Sequence, residues 1–497
     1  MHNLADVARL GAMRWPGREA VVYRGRRYTY AEFAELVGGR VHDLTRRGVG
    51  RGDAVVTMAG NSDLLLATYL AIAAIGALNI PLNTMTTVDE TADVLARTGA
   101  RLAYYAPEFT AQRDALPERA EWVLLDAAAV ETDPAWARAA LPTPAGGADE
   151  PAMVIFTSGS TARPKGCVKS HSNLIWHIVN AQLGMPRGPL DREVYVIPLA
   201  GIGLVNFALL NLLVGATLVL DRFTPEGTLR GIQDERATHC FLPPTMLHAM
   251  LSVPDQGTYD LSTLRRVDTG YEMSARLRNA IADRLGPIVH YGYGSSEGTL
   301  SYATAPEFMT DPQCVGVVFG LDELAIMDPD GALLGEGQVG EIVSRGPTLL
   351  GGYLGDAELT AAALREGWYH SGDLGWLGPG RNLHFAGRLK DMIKTGGLNV
   401  SAAEVEQILA RHPRVESVSV VGVADDKWGE AVVAAVVPVP GSAVSEAELA
   451  AFAAENLAGY KRPKRYLIRL ELPVNPSGKV AKGVLRRLAE HELSAAK

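Results

Sequence analysis

The sequence predicts an α/β protein: a large N-terminal domain of sheets covered by helices, residues 1–388, followed by a small α+β C-terminal domain, residues 389–497. Three observations carry this prediction. Short β-branched runs alternate with longer helical patterns, the order that builds parallel sheets under helices. After about Arg388 the texture changes to helix, strand, strand, helix, strand. A chain of 497 residues is also too long for one hydrophobic core, so at least two domains are expected.

Taken in order, AVVTM (from Ala54) reads as a strand and the segment after it as a helix through Tyr69. The same pairing recurs as EVYVIPL (from Glu193) with a helix through Leu212, THCFLPP (from Thr238) with TMLHAML, and RRVDTG (from Arg265) with a helix through Leu285. The segment Pro142 to Pro151 reads as a surface loop. Beyond Arg388, SAAEVEQILARH and SEAELAAFAAENL read as helices, and VESVSVVGV, EAVVAAVVPV and RYLIRLEL as strands. Leu64 to Ile80 and Ile197 to Leu220 imitate membrane spans. The first is short and meets Pro81, the second is broken by Gly201, Gly203 and Gly215, so both read as buried core segments.

Composition narrows the function. Apolar residues are 47% and charged residues 21%, ordinary for a globular protein. A net charge of −9 offers no basic field for a nucleic-acid backbone, which excludes that partner class. Cys167, Cys240 and Cys314 stand singly and no leader pattern opens the chain, which together predict a cytoplasmic protein. The eleven histidines show no zinc-ligand spacing. Composition leaves the oligomeric state open, a homodimer included.

The stretch FTSGSTARPKG, Phe156 to Gly166, follows the apolar strand MVIF. Glycines and hydroxyl residues after a strand allow a tight loop whose N–H and O–H groups converge on an anion, and Lys165 adds positive charge. The spacing is not that of a Walker A loop. Taken alone, the stretch reads equally well as a surface turn.

With its neighbours it resembles the phosphate loop of the adenylate-forming superfamily, which includes the acyl-CoA synthetases and AMP-dependent ligases. IPLN at Ile80, YGSSE at Tyr293, GE at Gly340, WYHSGDLG at Trp368, GRLKDMIKTGGLNVSAAEVE at Gly387 and PSGKV at Pro476 follow in the family's order. The resemblance implies activation of a carboxylic acid by ATP to an acyl-adenylate with release of pyrophosphate, then transfer to the thiol of coenzyme A with release of AMP. It implies that Thr157, Ser158, Gly159, Ser160, Thr161 and Lys165 hold the ATP phosphates, with Ser296 at the α-phosphate and Glu297 on Mg²⁺. Gly270, Tyr271, Glu272, Tyr291 and Gly292 would frame adenine. Asp373 and Arg388 would take the ribose, and Lys394 belongs to the same ATP-binding set. Lys479 would be the catalytic cation between the acid and the α-phosphate. The C-terminal domain would be mobile, hinged at Lys390, with Gly396 and Gly397 along the coenzyme A tunnel.

Apart from this set each residue has an ordinary reading: Asp373 as a turn residue, Arg388, Lys390 and Lys479 as solvated charges, His171 and His370 as ordinary polar residues. The chain departs from the family at Ala162, where glycine is usual, and at Ala200 and Gly201, where an aromatic and a histidine often gate the acyl pocket. With Gly203 these imply a roomier pocket. No Asp or Glu lies between Glu193 and Asp221, so an apolar or aromatic acid is expected over an amino acid. Three rivals remain: transfer of the adenylate to an amine or a carrier-protein thiol, a non-catalytic nucleotide binder, and a serine hydrolase using Ser296 in a G-x-S-x-G elbow, which would need a helix directly after it.

Overall fold

A computed structural model describes residues 1–126, 138–157, 164–254, 256–270, 273, 275–298, 300–311, 313–318, 320–425, 427–474 and 480–495. Among them the chain forms three sheets. The fold is mixed α/β, with a large N-terminal region of sheets and helices and a smaller C-terminal domain.

One sheet of the N-terminal region has seven strands with Leu78–Pro81 in the middle, Ala54–Met58 beside it on one side and Pro151–Thr157 then Lys165–Ser170 on the other. The other has fourteen strands. Its first half is largely parallel, through Thr217–Leu220, Arg192–Tyr195, His239–Phe241, Arg266–Gly270 and Val289–Gly294. From Leu300 onward it turns antiparallel, through Leu300–Ala303, Cys314–Val318, Leu383–Arg388 and Trp368–Leu377. The expectation of parallel sheets therefore holds for the βα alternation and not for this half. There short connections with no crossover helix join Val289–Gly294 to Leu300–Ala303 and Trp368–Leu377 to Leu383–Arg388, and such connections pair strands antiparallel.

Both membrane-like segments lie in the core. The helix Asp63–Ala74 is buried at every position, and the strand Leu78–Pro81 follows it. From Leu204 the second segment runs as a π-helical stretch, Leu204–Leu209, then a short helix to Val214 and the strand Thr217–Leu220. Their side chains join one large apolar cluster with Tyr30, Phe33, Leu174 and Ile178. No helix among the described residues is long and apolar enough to cross a membrane.

The C-terminal domain has a five-stranded sheet in which Val415–Asp425 and Gly429–Pro438 form the long antiparallel pair. Alternate residues bury on opposite faces: Val420, Val432, Ala434 and Val436 pack with Leu449 on one side, and Val421, Val433 and Ala435 with Leu485 on the other. The domain meets the rest of the chain where Ser401 Oγ donates to Ala386 O (2.6 Å) and Gln313 Nε2 to Gln407 Oε1 (2.7 Å).

Candidate active site

The strand Pro151–Thr157 runs antiparallel to Lys165–Ser170, so Thr157 and Lys165 face each other at the ends of the two strands. The expectations for Ser158, Gly159, Ser160, Thr161, Tyr271, Glu272 and Lys479 fall outside the described residues. Lys165 Nζ stands 5.6 Å from the centre of the Tyr353 ring, and Tyr353 Oη donates to Glu297 Oε1 at 2.9 Å. One tyrosine thus links the phosphate-loop lysine to the carboxylate.

Glu297 and Ser296 lie in a tight turn after the strand Val289–Gly294, where Ser295 Oγ donates to Gly298 O (2.9 Å). Gly298 is needed there: its φ is +147°, and a Cβ would stand 2.6 Å from Leu349 Cδ2. The next element is the strand Leu300–Ala303. Ser296 is therefore not on a strand-to-helix elbow, and the hydrolase reading falls.

Asp373 and Arg388 are paired across adjacent strands, with Arg388 Nε 3.1 Å from Oδ1 of Asp373. Tyr293 Oη donates to Asp373 Oδ2 at 2.9 Å, which places this pair beside the turn carrying Glu297. The turn before Asp373 is held by Glu341, whose carboxylate accepts from Gly372 N (2.9 Å) and lies 2.8 Å from His370 Nδ1. In the neighbouring strands Arg266–Gly270 and Val289–Gly294, Gly270 pairs with Gly292, and a Cβ on Gly270 would stand 3.0 Å from Gly292 O. Tyr291 beside them stacks on Phe308 with centroids 5.0 Å apart.

At the acyl pocket positions, Gly203 faces Ile197, Tyr195 and Phe207, and the Phe207 and Phe241 rings lie 4.5 Å apart. Around Gly201 the space is open, with nothing within 4 Å of a Cβ. Ala200 is part-buried between Leu199 and Gly201. Glu193 is turned away into the core, where Arg187 Nε (3.2 Å) and Asn211 Nδ2 (2.7 Å) hold it.

Lys390 sits in a single 3₁₀ turn, Leu389–Asp391, between the last strand of the large sheet and the first of the C-terminal one. Lys394 is exposed on the hairpin that follows. Thr395 pairs with Leu398, closing a two-residue turn in which Gly396 (φ +58°) and Gly397 (φ +79°) are both left-handed. That is the I′ geometry, which selects glycine on backbone grounds alone.

Sequence reasoning missed Lys169. Its side chain is wholly buried, and its Nζ donates to Thr348 O (2.7 Å) and Glu297 O (2.8 Å) and lies 3.3 Å from His177 Nε2. Burial pushes its pKa down to about 7 against the pull of nearby acidic groups. A lysine at an inward strand position directly after the phosphate loop is the signal that could have found it.

The donor set suits Mg²⁺. Glu297 offers a hard carboxylate donor with one oxygen tied to Tyr353, and the described residues contain no cluster of three or more His, Cys, Asp or Glu that could cage a metal. Magnesium is usually held by one or two carboxylates together with substrate phosphates, and one carboxylate beside a phosphate loop fits that habit.

The N-terminal model of the AMP-binding enzyme family matches residues 9–354, and the family's C-terminal domain model matches residues 404–479. This chain belongs to the AMP-binding enzyme family. It is 36% identical to a feruloyl-CoA synthase of an Amycolatopsis species, over 95% of this chain and 96% of that one. It is 33% identical to an indoleacetate–CoA ligase of Aromatoleum aromaticum, over 95% of each. Among solved structures it superposes on the amide bond synthetase McbA from Marinactinospora thermotolerans with a TM-score of 0.89, at 31% identity, covering 98% of this chain and 99% of that one. The member of the AMP-binding family described here is an AMP-forming acid–thiol ligase, which adenylates a carboxylic acid and passes it to coenzyme A.

Proposed function

We propose that the acid is apolar or aromatic, and that Thr157 to Thr161 with Lys165 grip the ATP phosphates while Asp373 and Arg388 take the ribose. The observation that carries the reading is the unbroken contact chain from Lys165 through Tyr353 to Glu297, with Tyr293, four residues before that carboxylate, holding the Asp373–Arg388 pair beside it. Gly270, Tyr271, Glu272, Tyr291 and Gly292 frame the base, and Ser296 meets the α-phosphate.

Glu297 would hold Mg²⁺, which when bound neutralises phosphate charge. Lys479 brings a flexible point charge to the carboxylate and α-phosphate as charge develops between them. The domain boundary falls at residues 388 and 389, and rotation about Lys390 exchanges Lys479 for the face carrying Lys394, Gly396 and Gly397, past which the thiol arm of coenzyme A approaches. The protein works in the cytoplasm, in keeping with three buried, unpaired cysteines.

An apolar or aromatic acid is favoured by Tyr195, Ile197, Phe207 and Phe241 around Gly203. It is favoured too by Glu193, whose core pairing leaves it no role with a substrate ammonium. The relatives named for ferulate and indoleacetate point the same way. The likeness to an amide bond synthetase keeps an amine acceptor as the second reading.

The test is a panel of short, long and aromatic acids assayed for pyrophosphate release, with wild type and Lys479→Ala, with and without coenzyme A. Lys479-dependent release with an aromatic acid, and a thioester that needs coenzyme A, is the expected result. Release without thioester, but with amide when an amine is supplied, would move the acceptor to an amine. Silence with every aromatic and apolar acid would overturn the proposed substrate class.

A further inference from the structure

Lys169 is a buried charge-bearing group at this site that the reaction described above does not use. It projects from the strand Lys165–Ser170, four residues beyond the phosphate-loop lysine, into a pocket closed to solvent. Its amine donates to two carbonyls, Glu297 O and Thr348 O, and lies against His177 Nε2.

The two carbonyls belong to two segments that meet at the metal-ligand carboxylate. Glu297 O is the main chain of the proposed Mg²⁺ ligand itself, and it also accepts from Leu350 N at 2.7 Å. Thr348 starts the segment that ends at Tyr353, whose hydroxyl donates to Glu297 Oε1. The same segment is pinned from behind, because Thr348 Oγ1 donates to Asp322 Oδ2 (2.7 Å) and Asn173 Nδ2 to Pro347 O (2.9 Å). Lys169 therefore ties the main chain of Glu297 to the start of the segment that leads, five residues on, to Tyr353.

Desolvating an amine completely is costly, and an apolar side chain of similar length would usually fill such a pocket with better stability. A group retained at that cost is expected to do something packing alone does not. We infer that Lys169 is a positioning residue for Glu297: by bridging Glu297 O and Thr348 O it fixes the carboxylate where a phosphate-bound divalent cation needs it. The inference rests on the reading of Glu297 as that cation's ligand.

The test compares full-length wild type with Lys169→Met, Glu297→Gln and the double variant. Pyrophosphate release is measured against free Mg²⁺ at saturating ATP and acid, and Mn²⁺ binding to the enzyme–ATP complex is followed by electron paramagnetic resonance. Lys169→Met should lower kcat and raise the Mg²⁺ needed for half-saturation, at least about tenfold in the combined kcat over half-saturation value, a loss typical of a buried charge-assisted hydrogen bond. It should weaken Mn²⁺ binding and leave KM for the acid within about twofold, and in the Glu297→Gln background it should add little, as coupled residues do.

A purely structural role would give unchanged Mg²⁺ dependence and additive losses, and either result overturns the inference. If Glu297→Gln itself leaves the Mg²⁺ dependence unchanged, it is the reading of Glu297 that fails. Lys169→Gln keeps a donor but cannot reach both carbonyls, so it carries the same expectation at smaller size and decides the matter where Lys169→Met does not fold.

Discussion

Asp373 and Arg388 face each other across two neighbouring antiparallel strands, and Tyr293 closes the group by donating to the second oxygen of the same carboxylate. The carboxylate is thus fixed on a rigid strand rather than on a loop, with its two oxygens oriented by two different donors. Asp373→Ala removes the acceptor and leaves the Tyr293 hydroxyl and the guanidinium without their partner. It should raise KM for ATP in pyrophosphate release by about tenfold or more, the size expected for hydrogen bonds to a charged group. KM for the acid should change far less, and steady-state kinetics with each substrate varied separately checks the split.

Around Asp268 in the strand Arg266–Gly270 lies a buried ionic group. Arg187 Nη2 is 2.5 Å from Asp268 Oδ2 and its Nε 3.2 Å from Glu193 Oε2, while Arg266 Nε reaches Asp268 Oδ1 at 2.6 Å. Burial opposes ionisation of Asp268, but the Arg187 and Arg266 charges win and hold it down to about 2. Arg187→Met leaves two carboxylates facing each other in the core, so it should destabilise the protein by about 3–5 kcal/mol. A fall in the urea midpoint of unfolding with an unchanged slope would show it, whereas an unchanged midpoint would mean the network contributes little.

His171 yields a pH dependence. It is buried, it accepts from Leu4 N at 3.1 Å through Nδ1, and burial lowers its pKa to about 4. In the unfolded chain the same group titrates near 6.5, so below that pH the unfolded state binds a proton that the folded state refuses. Stability therefore falls as pH drops from about 6.5 to about 4, with His171 contributing at most about 3 kcal/mol of the loss. His171→Gln keeps an acceptor without the titration, and a thermal melting series over this range should show a shallower decline for the variant.

Glu297, Asp373 and Arg388 stand out in the sequence because each sits in a contiguous motif, and Tyr293 brings the strand-borne Asp373–Arg388 pair beside the turn that carries Glu297. The direction of strand pairing does not. A run such as WYHSGDLG looks the same whether its partner is parallel or antiparallel, and the match of Asp373 with Arg388 is decided by the connection between them. Gly396 and Gly397 show another limit. The sequence suggests room for a thiol arm, yet a two-residue I′ turn demands both glycines by itself, so their presence cannot distinguish the two. Lys169 escaped notice because a lysine ordinarily signals solvent, and only the tertiary placement of the Glu297 and Thr348 carbonyls reverses that expectation.

Gly201 and Gly203 make separable predictions about acid selectivity. A Cβ at Gly201 meets nothing within 4 Å, so Gly201→Ala should leave the preference among acids nearly unchanged. At Gly203 a Cβ would stand 2.7 Å from Ile197 Cδ1 and 3.8 Å from Phe207 Cδ2, so a larger side chain has to push into the space those residues border. Gly203→Leu should raise KM for bulky aromatic acids by about 10- to 200-fold, since pocket volume discriminates by about 1–3 kcal/mol per methylene-sized change. Short acids, which need not fill that space, should keep their kcat/KM, so the ratio of aromatic to short acid is the quantity to measure. An equal fall for both would mean that the added side chain had distorted the π-helical stretch Leu204–Leu209 instead of narrowing the pocket, and a melting temperature below that of Gly201→Ala would accompany it. An unchanged ratio in a fully stable variant would place the acyl group away from Gly203 altogether.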